Sequence, residues 1–153
     1  MDENSSNYPV LAEYIGTHPA AVLSTINDDG TPYGSVVYVG LAGHRQVFFV
    51  TKNQTRKYAN VSKRPQVSLT FFNDKDSSTL QASGKAFVAD DPKMIDHALD
   101  AMKKIHAMQA EWLPPISKLN AGNYVLIGIQ LESARLAQYK GLGIGSDDIF
   151  TEL

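Results

Sequence analysis

From Gly30 through Asn73 the sequence contains no Asp or Glu, yet it holds Arg45, Lys52, Arg56, Lys57, Lys63 and Arg64. That is a local charge of +6 inside a chain whose formal net charge is −2. Arg56 and Lys57 fall in the first turn of a predicted helix, the end where the dipole favours anions and disfavours cations. Positive side chains on a positive helix end raise the local potential unless an anion sits there. A phosphate answers the arrangement, because free backbone N–H groups, the Thr55 hydroxyl, a guanidinium fork and an ammonium converge on it. The competing reading is a solvated helix face, since surface cations are common.

Other residue types offer less. His18, His44, His97 and His106 show no metal spacing; His97 and His106, nine apart, lie about 180° from each other around a helix and cannot share a ligand face. The run Gly141-x-Gly143-x-Gly145 is not followed by a strand–helix unit, so it is not a dinucleotide fingerprint. Ser24, Ser35 and Ser68 lack a G-x-S-x-G setting, which leaves nucleophilic hydrolysis without support. Trp112, before Pro114-Pro115, reads as an anchor for a loop, and Asp28 and Asp29 as turn residues. No general acid or base stands out.

The positioning elements follow from the local patterns. Tyr8, Leu11, Ala12 and Ile15 make one face of a short helix that Gly16 and Pro19 should stop. Ala21–Ile26 and Tyr33–Val39 read as strands joined by Asn27-Asp28-Asp29-Gly30-Thr31-Pro32, where Asp-Gly is a strong hairpin signal. A turn at Gly40–Arg45 leads to the strand Gln46–Thr51. Thr55–Lys63 is a helix, capped by Thr55 or Asn53 and blocked by Pro65. Val67–Phe72 and Thr79–Ala89 are strands, the second with a bulge or bend at Gly84. Asp91-Pro92 opens the clearest helix, with Met94, Ile95, Ala98, Leu99, Met102 and Ile105 as its apolar stripe. Asn123–Leu131 and Ala134–Tyr139 are the last strands. About seven strands and two or three helices, in meander order, predict a mainly β α+β fold: a split, antiparallel, Greek-key-like barrel with a few peripheral helices.

The 153 residues suit one domain, with residues 1–6 a disordered leader and 141–153 a flexible tail. The net charge argues against a nucleic-acid or anionic membrane partner, and no apolar run approaches the ~20 residues needed to cross a bilayer. Cys is absent, which excludes disulfides, thiolate metal sites and cysteine nucleophiles. With no secretory signal at the N-terminus, the expectation is a cytoplasmic domain without a bound metal.

The succession Ala21-Val22-Leu23-Ser24-Thr25, Asp28-x-Gly30-x-Pro32, Val47-Phe48-Phe49-Val50-Thr51, Thr55-Arg56-Lys57-Tyr58-Ala59-Asn60-Val61 and Arg64-Pro65-Gln66-Val67-Ser68-Leu69, with Gly84-Lys85-Ala86 after it, resembles the pyridoxamine 5'-phosphate oxidase-like FMN-binding split-barrel family. The resemblance covers residues 8–90 well and the remainder loosely, and it implies a homodimer with FMN at the subunit interface. It implies that Arg56 and Lys57 grip the FMN phosphate, where the charge pattern independently puts an anion. Val50 and Thr51 would offer backbone and hydroxyl groups to the phosphate and ribityl chain. Ser35, Val36, Val37 and Tyr38 would run along the isoalloxazine edge, and Thr79 and Gln81 would reach the flavin, from the partner subunit if not from their own.

The departures bear on activity. Where the oxidases proper carry a phosphate-holding arginine and a substrate-contacting lysine on the ring-edge strand, this chain has Ser35 and Gly40. Thr79 replaces a glutamine, and no Trp follows Trp112. The resemblance therefore implies an FMN-binding oxidoreductase of the short, general-stress-protein-like branch. It would act on a small molecule or a nicotinamide donor other than pyridoxamine phosphate. The alternatives are a non-catalytic flavin- or haem-binding stress module and a deazaflavin-dependent relative.

Overall fold

A computed structural model describes residues 7–43, 45–105, 123–139 and 149–153. The first helix, α1 (Tyr8–Thr17), carries Pro in its first turn, where a missing N–H costs nothing, and buries Leu11, Tyr14 and Ile15. It continues through Gly16, the expected stop, because the Thr17 hydroxyl donates to the carbonyls of Glu13 (2.9 Å) and Tyr14 (3.2 Å) and closes the last turn. The strands β1 (Ala20–Ile26) and β2 (Pro32–Tyr38) then form the expected hairpin, with Val22 opposite Val36. Its turn needs the glycine: Gly30 takes a φ of 84°, and its N–H donates to the Asn27 carbonyl at 2.9 Å.

A short strand, β3 (Gly40–Leu41), opens what was expected to be only a turn, and β4 (Gln46–Lys52) follows. The helix α2 (Arg56–Lys63) leads to β5 (Gln66–Asn73) and β6 (Ser78–Val88). After α3 (Pro92–Ile105) come β7 (Tyr124–Gln138) and β8 (Phe150–Glu152). Two late strands were expected where β7 is one. The interruption is absorbed as a bulge: Ser83 faces Ser133 but Gly84 faces Leu131, so Glu132 is skipped.

Within 141–153, expected to be a flexible tail, the residues Phe150–Glu152 form a strand. Beyond β4's reach the edge of β7 would stand open, and β8 fills it by pairing with Arg135–Ala137. The Leu153 N–H donates to the Ala134 carbonyl at 2.9 Å, and buried Arg45 donates through Nη2 to the Leu153 carbonyl at 3.1 Å. The leader, His44, His106, Trp112 and the Gly141–Gly145 run lie outside the described residues.

The strand order is β2-β1-β5-β6-β7-β4-β3, antiparallel at every pairing, with β8 on β7. This curled sheet is a split barrel. Leu23, Val47, Phe49, Leu69, Phe71, Leu80, Ile127 and Ile129 fill its interior together with α1. A second apolar cluster lies where Ala98 and Met102 of α3 cover Phe48 and Leu126 on the opposite face of β4 and β7. The split falls between β2 and β4, which approach without pairing. Among the described residues β2 pairs only with β1, and β4 beyond Phe48 has a strand on one side only.

Candidate functional site

The loop after β4 delivers α2 to the split. Thr55 caps the helix, accepting from the Tyr58 N–H at 3.3 Å while its hydroxyl donates to the Lys52 carbonyl at 3.0 Å. The Thr51 hydroxyl lies 3.1 Å from that of Thr55. With the Thr55 proton spent on Lys52, Thr51 is the donor of that pair, so its hydroxyl supports the cap and its backbone is what it can offer a ligand. There is no acid in the first turn of α2, and Arg56 and Lys57 follow the cap directly.

The six cations of the acid-free stretch do not act together. Lys63 and Arg64 pair with Asp28 at 3.0 and 3.1 Å, Arg45 is buried at the β4–β8 joint, and Lys52 lies 5.9 Å from the centre of the Tyr124 ring. Arg56 stacks on Tyr33, its guanidinium carbon 5.5 Å from the ring centroid. Asp28 thus offsets one of the two positive charges at the C-terminal end of α2, while Arg56 and Lys57 stand at its N-terminal end with the Asp29 carboxylate acting on Arg56. A depression of about 610 Å³ beside that end is lined by Asn27, Asp28, Asp29, Thr55, Arg56 and Asn60. Its carboxylates are already engaged: hydrogen bonds from Lys63 and Arg64 hold the Asp28 carboxyl below its usual range, and those from the Thr31 hydroxyl and amide do the same for Asp29.

Alternation along β2 puts Tyr33, Ser35 and Val37 on the more buried face and Pro32, Gly34 and Val36 on the exposed one. Ser35 Oγ is buried and has no hydrogen-bond partner. A buried hydroxyl without a partner costs about 1–3 kcal/mol. It sits one pleat, roughly 7 Å of strand, from the residue that carries the Arg56 guanidinium. A phosphorylated ligand in the split fits these groups, since an oxyanion accepts from the hydroxyl, the guanidinium and the first N–H groups of α2 alike. The open backbone edge of β2 fits the polar rim of a planar heterocycle.

Of the residues expected at the site, Arg56 lines the depression beside α2; Ser35–Tyr38 lie on β2 and Val50 and Thr51 on β4, the strands either side of the split, and Lys57 follows Arg56 in the first turn of α2. Thr79 and Gln81 are elsewhere, on the outer face of β6. The Thr79 hydroxyl donates to the Phe71 carbonyl at 2.8 Å, and Gln81 Oε1 accepts from Arg135 Nε at 2.9 Å. Gln81 and Arg135 line a polar groove of about 480 Å³ with Ser68, Thr70, Ser83 and Ser133. On the same outer face Val36 and Phe72 are 62% and 67% exposed. Sequence reasoning missed Tyr33 and Asn60. Asn60 Nδ2 donates to Thr25 Oγ1 (2.9 Å) and Asn27 Oδ1 (3.0 Å), tying α2 to the hairpin. The signal was present in the spacing of 56 and 60, one helical turn apart. Among the described residues no cluster of His, Asp or Glu could hold a metal, and no helix is long and apolar enough to cross a membrane.

Residues 9–137 match the family described as Pyridoxamine 5'-phosphate oxidase. No curated protein is a significant sequence match. Solved structures with the same fold include a pyridoxamine 5'-phosphate oxidase-related, FMN binding protein from Nostoc punctiforme, with a TM-score of 0.66 at 12% identity over 97% of this chain and 88% of that one. General Stress Protein 26 from Bacillus anthracis gives 0.58 at 19% identity, covering 94% and 98% of the two chains. An F420 reductase gives 0.61 at 20% identity, covering 80% and 94%. At such identities these likenesses establish the fold.

Proposed function

The chain belongs to the pyridoxamine 5'-phosphate oxidase family, and from that premise we propose that it is a homodimeric flavoprotein which anchors FMN at the barrel split and acts as an oxidoreductase. The observation that carries this reading is the partnerless Ser35 hydroxyl on the face of β2 whose Tyr33 holds Arg56. Arg56, Lys57 and the first amides of α2 hold the phosphate, and Ser35 donates to it. The edge of β2 at Val36 and Val37 meets the polar side of the ring, with Tyr38 next to it and the backbone of Val50 and Thr51 alongside the ribityl chain. Bound FMN supplies the redox chemistry, while the chain anchors, orients and shields it.

A second copy completes the site. Thr79 and Gln81 lie on the outer face of β6, away from their own chain's split, and exposed Val22, Val36 and Phe72 on that face suit burial against another sheet. The substrate is a small molecule or nicotinamide donor other than pyridoxamine phosphate, because Ser35 and Gly40 replace an arginine and a lysine and α3 is packed against Gly40. No acid or base is assigned, since the carboxylates lining the depression are held by Lys63, Arg64 and Thr31. A cytoplasmic location is part of the same reading and rests on the Cys-free composition.

A haem-binding module finds no support in a phosphate cradle, whereas a phosphorylated deazaflavin would use the same one. Titration of the purified protein with FMN, followed by quenching of flavin fluorescence, tests the reading. Saturable binding at micromolar concentration or tighter supports it; no saturation by about 100 μM, a binding free energy weaker than roughly 5.5 kcal/mol, overturns it.

A further inference from the structure

One side of α2 is fastened to the β1–β2 hairpin along its whole length. Residues 56, 60 and 63 lie at i, i+4 and i+7, a single helical face, and Arg64 follows as the C-cap. From the middle of that face Asn60 reaches Thr25 and Asn27, and from its end Lys63 and Arg64 reach Asp28. At the N-terminal end the contact is Arg56 on the ring of Tyr33. Tyr33 is in turn held opposite Thr25, the residue whose hydroxyl Asn60 engages. Hairpin and helix are thus tied to each other, and the guanidinium of exposed Arg56 lies over an aromatic ring.

We propose that Tyr33 is the positioning residue for Arg56, and that the β1–β2 hairpin thereby gives the site its preference for a phosphorylated flavin over the unphosphorylated one. This rests on the FMN reading above. A long guanidinium side chain loses rotamer freedom when it grips a phosphate, and stacking on a ring removes part of that freedom beforehand. The ring need not touch the ligand. Its whole effect passes through Arg56, so it is felt by a ligand with a phosphate and not by one without.

The test is a fluorescence titration of the full chain with FMN and with riboflavin, for the wild type, Tyr33→Leu, Tyr33→Phe, Arg56→Ala and the Tyr33→Leu/Arg56→Ala double variant. Thermal melts confirm that each is folded. The expected result is an FMN affinity about five-fold weaker in Tyr33→Leu, the size of a surface cation–π contact, with riboflavin changed less than about two-fold. Tyr33→Phe, which keeps the ring, restores FMN binding, and Tyr33→Leu adds nothing once Arg56 is gone. If Arg56→Ala weakens FMN but Tyr33→Leu leaves it within about two-fold, the inference fails and the phosphate reading stands. If Tyr33→Leu weakens both ligands equally, Tyr33 acts on the fold and the inference also fails. If Arg56→Ala does not separate FMN from riboflavin, the phosphate reading fails and takes the inference with it.

Discussion

Gly40 of β3 lies directly under Met102 of α3: a Cβ at position 40 would come within 2.7 Å of Met102 Cγ and 3.1 Å of its Cα. The helix backbone thus occupies the space a side chain there would need. Gly40→Ala is expected to cost about 1–3 kcal/mol by overpacking, measured by urea unfolding. Met102→Ala in the same chain should not recover that loss, because it removes a buried side chain at a cost of about 2–5 kcal/mol and leaves the helix backbone in place. A lysine at this position would require α3 to move.

Asn60 should be the most sensitive polar residue of α2. It is 5% exposed, and its amide supplies a proton to both Thr25 and Asn27. Asn60→Ala is expected to destabilise the fold by about 1–3 kcal/mol, since two acceptors lose their donor. Asn60→Asp should cost more, because it puts a charge where the donor was. Equilibrium denaturation of the two variants checks the order.

Stability should fall at both ends of the pH scale, for separate reasons. Hydrogen bonds from Ser78 hold the Asp76 carboxyl below its ordinary value, as those from Lys63 and Arg64 do for Asp28. A lowered carboxyl contributes fully above its unfolded value, near ~4, and the contribution is lost as pH falls through the lowered folded value. Asp76→Asn should therefore flatten the acid limb of a stability–pH curve.

At the alkaline end the group is Tyr14, whose hydroxyl is 3.0 Å from Ser78 Oγ and whose pKa is raised, chiefly by burial. A raised value contributes fully below the unfolded value, near ~10, and is lost as pH climbs toward the folded one. Tyr14→Phe should remove that alkaline loss while costing about 1 kcal/mol at neutral pH for the missing hydrogen bond.

Phe72→Asp tests the second copy. Phe72 is 67% exposed on the outer face, so the substitution should leave monomer stability within about 0.5 kcal/mol. Sedimentation should then show a dimer for the wild type and a monomer for the variant, with weaker FMN binding in the monomer. A variant that still sediments as a dimer would place the interface elsewhere.

The hairpin at Asp29-Gly30, the Thr55 cap and the Pro92 helix start were legible because each is fixed by a few neighbouring residues. The unity of β7 was not, since Glu132-Ser133 reads as a break and only pairing with β6 turns it into a bulge. Nor was β8, a three-residue strand whose place depends on the edge of β7 that β4 leaves open. In the site, Arg56 and Lys57 could be read from charge at a helix start, but the pairing of Lys63 and Arg64 with Asp28 spans more than thirty residues and thins out the apparent cationic field. Tyr33 had no local signal, because its role appears only when β2 and α2 are brought together.

The central claim is that the start of α2 holds a phosphate, and titrating Arg56→Ala/Lys57→Ala with FMN and riboflavin tests it most directly. Two charge-assisted hydrogen bonds at about 1.5–3 kcal/mol each should weaken FMN binding by about a hundred-fold or more when lost, with riboflavin binding unchanged. An FMN affinity within about three-fold of the wild type, under ~1 kcal/mol, or an equal loss for both ligands, would contradict it.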